Sequence, residues 1–134
     1  MIRLLRRVNR SGFTLIELMI VMSIIGILAA ISVPNYRWAL IKANEAVLRE
    51  NLYTFRSTID QFYADQGKFP ESLNELVEKR YLREIPKDPF TKSNDTWITV
   101  APTTSNEGET VEGSVYDVHS GSDLVGTKGP YNEW

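Results

Sequence analysis

The chain has 134 residues, no cysteine and a formal net charge of −2. That length corresponds to one ordinary domain and excludes a multidomain enzyme, while the missing cysteine excludes disulfides, a thiol nucleophile and any cysteine-ligated metal. The charge is uneven, with +4 from Arg3, Arg6, Arg7 and Arg10 in the first twelve residues and −6 over the rest; an acidic body argues against nucleic acid as a partner, because phosphate binding draws on clustered Lys and Arg.

Residues 13–33, FTLIELMIVMSIIGILAAISV, carry a single charge, Glu17. As a helix this run reaches about 30 Å, enough to cross a bilayer. The flanking arginines predict that the N-terminal end stays in the cytoplasm and that everything after Val33 crosses to the other face. A secretory signal has an apolar region of about 7 to 15 residues, shorter than this one. An ordinary anchor leaves Glu17 unexplained: a carboxylate in hydrocarbon is costly without a partner, which makes it a candidate functional residue. Gly26, Ala29 and Ala30 admit two readings, close packing of bundled helices or simple tolerance of lipid.

Arg10-Ser11-Gly12 followed by Phe13-Thr14-Leu15-Ile16-Glu17 resembles the prepilin cleavage motif of the type IV pilin and pseudopilin superfamily. The resemblance implies that a prepilin peptidase cuts between Gly12 and Phe13, releasing a cytoplasmic leader, residues 1–12, and methylates the new amine of Phe13. Such a cut places an α-amino group four residues before Glu17, near the positive end of the helix dipole. Two readings of Glu17 follow. It pairs with the Phe13 amine of its own chain, or, as the resemblance implies, Glu17 of an incoming subunit neutralises the Phe13 amine of its neighbour and fixes the register of a filament, since a buried charge without its partner is expensive.

Pro34 removes one helical hydrogen bond and predicts a bend, not a stop. Beyond it Ile41, Leu48, Leu52, Phe55, Ile59 and Phe62 fall on one stripe, with Lys42, Glu45, Arg49, Glu50, Arg56 and Asp60 on the face expected to meet water. Gly67 ends the helix. Ser72 and Glu75 have capping-box spacing and, with Leu73, Leu76 and Val77, predict a short helix near residues 71–79. Pro86 and Pro89 enforce a loop. Trp97 to Val100 and Val115 to Val118 read as strands, and Thr103 to Gly113 as a long exposed turn.

The expected fold class is α+β. A long N-terminal helix, transmembrane over residues 13–34 and amphipathic beyond, packs on a small head within residues 35–134 that holds a short helix and an antiparallel sheet, which resembles the pilin fold.

Gly67-Lys68-Phe69-Pro70, the stretch from Tyr81-Leu82 to Asp88-Pro89-Phe90, and Tyr116-Asp117 to Ser122-Asp123 are similar to the major pseudopilins of the type II secretion system, and Trp134 fits the family's terminal tryptophan. That resemblance implies a bacterial inner-membrane protein, single-pass, with its head in the periplasm, which polymerises with itself into a filament promoting protein export. It also implies as partners the prepilin peptidase, minor pseudopilins and an inner-membrane assembly platform. The alternative is a type IV pilin for adhesion or motility, against which the missing cysteines count.

Major pseudopilins bind calcium in the last loop, so the resemblance assigns such an ion to Asp117, Ser120, Ser122 and Asp123, which supply the hard oxygen donors it prefers. The loop departs from the family pattern: Leu124 replaces a glycine, and Asn132 and Glu133 stand near the place of a later aspartate. Asp and Ser in a glycine-rich turn also form turns with no metal at all. His119, the only histidine, has no second nitrogen or sulfur ligand to complete a transition-metal site and is read as structural. No nucleophile, base and orienting group stand at a sensible spacing, so an enzyme is not expected.

Overall fold

A computed structural model describes residues 11–103 and 111–134. The expected leader lies outside the described residues except for Ser11 and Gly12, as does most of the polar stretch after Thr103. The chain forms two compact units, Met1–Ala39 and Leu40–Trp134, and helix α1, Leu15–Gln66, contributes to both.

In the first unit none of the described residues is buried, and Leu15, Met19, Ile27 and Ile31 expose 60% or more of their surface. A helix this apolar with no protein covering it fits a membrane anchor by length and composition. Pro34 lies inside α1 and does not stop it.

In the second unit the predicted stripe becomes the core. Leu48, Leu52, Phe55, Ile59 and Phe62 are at most 2% exposed, and they meet Leu73, Leu76, Leu82, Trp97, Val115, Val118 and Tyr131. Burying each such side chain contributes about 1.5–3 kcal/mol. Trp97 stands edge-on to Phe55, with ring centroids 5.0 Å apart, and its indole N–H donates to the Pro86 carbonyl at 2.8 Å. Ile41 does not join the core, being 39% exposed. The assignment of Glu45 and Arg56 to the water face is also corrected: Glu45 is buried, and Arg56 is half-buried in an ion pair with Asp117.

Gly67, at φ +72°, supplies the left-handed residue that closes α1, and its N–H bonds the Tyr63 carbonyl at 2.8 Å. Helix α2, Leu73–Glu78, is capped by Ser72, whose Oγ accepts from the Glu75 N–H. The reciprocal arm reaches one residue further than the usual box: Glu75 Oε2 accepts from the N–H of Glu71 at 2.7 Å.

Strands β1, Ile98–Val100, and β2, Asp117–His119, pair antiparallel with Thr99 opposite Val118. The second strand starts two residues later than its composition suggests, because Val115 turns into the core and its N–H, like that of Ser114, bonds Pro70 instead of a strand partner. A second hairpin, β3 Val125–Gly126 with β4 Gly129–Pro130, leads into a 3₁₀ turn, Tyr131–Glu133. None of these three elements was expected from sequence.

Candidate functional site

The residues singled out at the start of the mature chain surround the first turn of α1. Gly12 and Phe13 precede the helix in exposed, irregular chain, with Phe13 85% exposed. Thr14 caps the helix. Its N–H and its Oγ1 both donate to Glu17 Oε2, at 2.8 and 2.9 Å, and the Glu17 N–H donates back to Thr14 Oγ1 at 3.3 Å. This reciprocal capping box gives Glu17 a role at the helix terminus before any second chain is involved. Thr14 is the residue the sequence reading missed; its signal was the Thr-x-x-Glu spacing ahead of an apolar run.

The four residues assigned to calcium are engaged separately. Asp117 Oδ1 accepts from Arg56 Nε at 2.7 Å and from the Val118 N–H at 2.8 Å. Its Oδ2 lies 3.6 Å from His119 Nε2. Ser120 is buried, and its Oγ donates to Asp88 Oδ2, a carboxylate with no solvent exposure. Ser122 is buried too, its Oγ accepting from the Leu124 N–H. Asp123 is exposed. Among the described residues no three His, Cys, Asp or Glu side chains gather as a metal requires. An ion seeking six to eight oxygens finds here a carboxylate facing a guanidinium and two hydroxyls turned into the protein, so the set does not fit calcium.

Two side chains of α1 hold this region instead. Glu45 Oε1 accepts from the Thr127 N–H and from Tyr131 Oη, both at 2.9 Å, and its Oε2 accepts from Thr127 Oγ1 at 2.8 Å. Burial alone would raise the pKa of Glu45, but these three donors, with Arg49 nearby, outweigh it and hold the carboxyl below its usual value. Burial, and then the bond to Glu45, push the Tyr131 phenol up to about 12. Three turns further along, Arg56 donates to Asp117, to the Val118 carbonyl and to the main-chain oxygen of Trp134. His119 Nδ1 bonds that same oxygen, which agrees with a structural histidine.

Comparison with known proteins gives these observations their context. Residues 7–33 match the family model of the prokaryotic N-terminal methylation motif. The chain is 30% identical over 102 residues to the type II secretion system core protein G of Klebsiella michiganensis, an alignment covering 64% of this chain and 72% of that protein. The same protein of Aeromonas hydrophila is 30% identical over 98 residues, 61% of this chain and 68% of its own. A type IV major pilin, PilE1 of Neisseria gonorrhoeae, is 43% identical over 86 residues, but the match spans only 51% of that pilin. No solved structure matches the chain.

A methylation motif at the head of a long apolar helix, followed by an α+β head, defines the class of pilin-like subunits. Within that class the chain belongs to the family of the type II secretion system core protein G, the pseudopilin branch. The pilin relatives fit less well, since the match spans 51% of one and 31% of another.

Proposed function

We propose that this chain is the repeating subunit of a type II secretion pseudopilus, cut between Gly12 and Phe13, methylated at Phe13, and polymerised with itself into a filament that promotes protein export. The observation that carries this reading is an uncovered apolar helix that opens on one capped carboxylate, Glu17. In lipid the side chains of the first unit are satisfied by hydrocarbon, and in a filament they are satisfied by the same helices of other copies. The carboxylate is what distinguishes the two states, because a charge moved into an apolar bundle requires a cation.

The cut supplies that cation as the amine of Phe13. The head then lies on the periplasmic side of the inner membrane, a reading supported by the arginines of the leader. Partners of this cycle are the prepilin peptidase, an inner-membrane assembly platform and minor pseudopilins. The role is structural and involves no catalysis.

Intact mass of the chain from cells containing a prepilin peptidase tests the reading. A product starting at Phe13 and carrying one methyl group is expected, and a mature chain still starting at Met1 overturns it. Glu17→Ala is expected to be cut normally and to yield few filaments; a normal filament yield removes Glu17 from assembly.

A further inference from the structure

We infer that the C-terminal loop of this chain is fastened without a metal ion, by a two-pronged clasp in which Glu45 and Arg56 of α1 take the place of the calcium that the family resemblance assigns to the loop. A calcium ion in a loop does two things: it neutralises carboxylates, and it gathers main-chain oxygens that would otherwise be unpaired. Arg56 performs both here. Its guanidinium meets the carboxylate of Asp117 at 2.7 Å and the main-chain oxygens of Trp134 and Val118 at 3.0 and 3.4 Å, so one fixed cation binds three oxygens from two segments. Planar geometry suits this task, since the guanidinium stays charged and presents several donors in a rigid fork.

Glu45 is the complementary prong. It takes the loop's donors where Arg56 takes its acceptors, drawing in the N–H and hydroxyl of Thr127 and the hydroxyl of Tyr131. The fit is close. A Cβ on Gly126 would stand 2.2 Å from the Tyr131 ring and 2.8 Å from Glu45 Oε1. Tyr131 is itself stacked on Phe90, with centroids 3.8 Å apart, and edge-on to Trp134 at 5.1 Å. The two hydroxyls of the expected ion site are meanwhile used within the protein, Ser120 on Asp88 and Ser122 on the Leu124 N–H. The departures from the family's loop and the clasp thus belong together. A loop without that ligand set keeps its place because α1 offers one anion and one cation on the same face.

The clasp is a property of the single chain, so its test is independent of whether the chain polymerises. Purified full-length protein in detergent is heated in millimolar calcium and in chelator, with near-ultraviolet circular dichroism of the aromatic core of the head as readout. The two melting temperatures are expected to coincide, and a rise with calcium in the wild-type chain overturns the inference, because an ion bound only to the folded state must stabilise it.

Loop opening is measured separately as trypsin cutting after Lys128. Glu45→Ala and Arg56→Gln, which each lose more than one charge-assisted hydrogen bond, are expected to speed this cut by more than roughly tenfold in calcium and chelator alike. Tyr131→Phe keeps the ring stacked on Phe90, deletes only the hydroxyl with its one charge-assisted bond to Glu45, and is expected to give an increase of roughly tenfold. Unchanged cutting in Tyr131→Phe and Arg56→Gln refutes the clasp even if Glu45→Ala proves too unstable to study.

Discussion

Replacing Gly126 by alanine adds one methyl group at a tightly packed point of the head. Gly126 does not sit in the left-handed region, so its backbone accepts alanine and the whole effect comes from space. The new Cβ would lie 2.2 and 2.6 Å from two atoms of the Tyr131 ring, distances at which something has to move. The ring cannot slide easily, being held between Phe90 and Trp134. Overpacking of this kind costs about 1–3 kcal/mol, and displacing the phenol breaks its charge-assisted bond to Glu45, worth about 1.5–3 kcal/mol. A combined loss of about 3 kcal/mol corresponds to a fall in melting temperature of about 15 °C for a unit of this size. The assay is near-ultraviolet circular dichroism during heating, which follows aromatic packing in the head and is insensitive to the apolar half of α1. Gly129→Ala is the control, since a Cβ there meets nothing within 4 Å and pays only for a φ of +118°. If Gly126→Ala melts within a degree of the wild type, the packing around Tyr131 and Glu45 is looser than the distances state and the reasoning fails.

Three further outcomes are expected. Because the folded-state pKa of Glu45 lies below its ordinary value of 4.5, its contribution to stability is complete above that value and is lost as pH falls through the folded one; melting curves between pH 7 and 3 should show a shallower acid slope in Glu45→Gln, and an identical slope would deny Glu45 the role. Phe55→Ala removes a ring with no solvent exposure that touches Trp97, and should cost about 3–5 kcal/mol by denaturant unfolding, with a loss below about 1 kcal/mol counting against Phe55 as a core residue. Ser120→Ala leaves the buried carboxylate of Asp88 with only the N–H groups of Phe90 and Thr91, so a loss of about 1–3 kcal/mol is expected, and a calcium-dependent loss would instead point to an ion at this serine.

The stripe on α1, the cap at Ser72, the stop at Gly67 and the two main strands were legible because each is a local pattern with a local cause: helical spacing, a hydroxyl ahead of a helix, a residue free to adopt positive φ, a run of β-branched and aromatic residues. Glu45 was misread for an instructive reason. The apolar stripe steps by seven from Ile41 to Leu48 and by four or three thereafter, and the position that fills the gap is Glu45. A charge in phase with a core signals a partner arriving from elsewhere, but the partners, Thr127 and Tyr131, are far along the chain and no spacing rule points to them. The second hairpin was illegible for the same reason. Two residues per strand leave no periodicity to read, and pairing that short is marginal unless something outside it holds it in place.

The two carboxylates at the centre of this protein use the same chemistry to different degrees. Glu17 is met by the main-chain N–H and the hydroxyl of Thr14, and Glu45 by the main-chain N–H and the hydroxyl of Thr127. At Glu45 the donors are spread over both oxygens, a third arrives from Tyr131, and water is excluded; the site is complete within one chain, which suits a fastening that must persist through every step of the subunit's life. At Glu17 both donors fall on Oε2, and among the described residues Oε1 accepts no hydrogen bond. A carboxylate with one oxygen satisfied and one open tolerates the start of a membrane helix yet still gains from a cation. That is the condition the proposed assembly step requires: stable enough for the subunit to wait in lipid, and incomplete enough that the amine of a neighbouring chain improves on it.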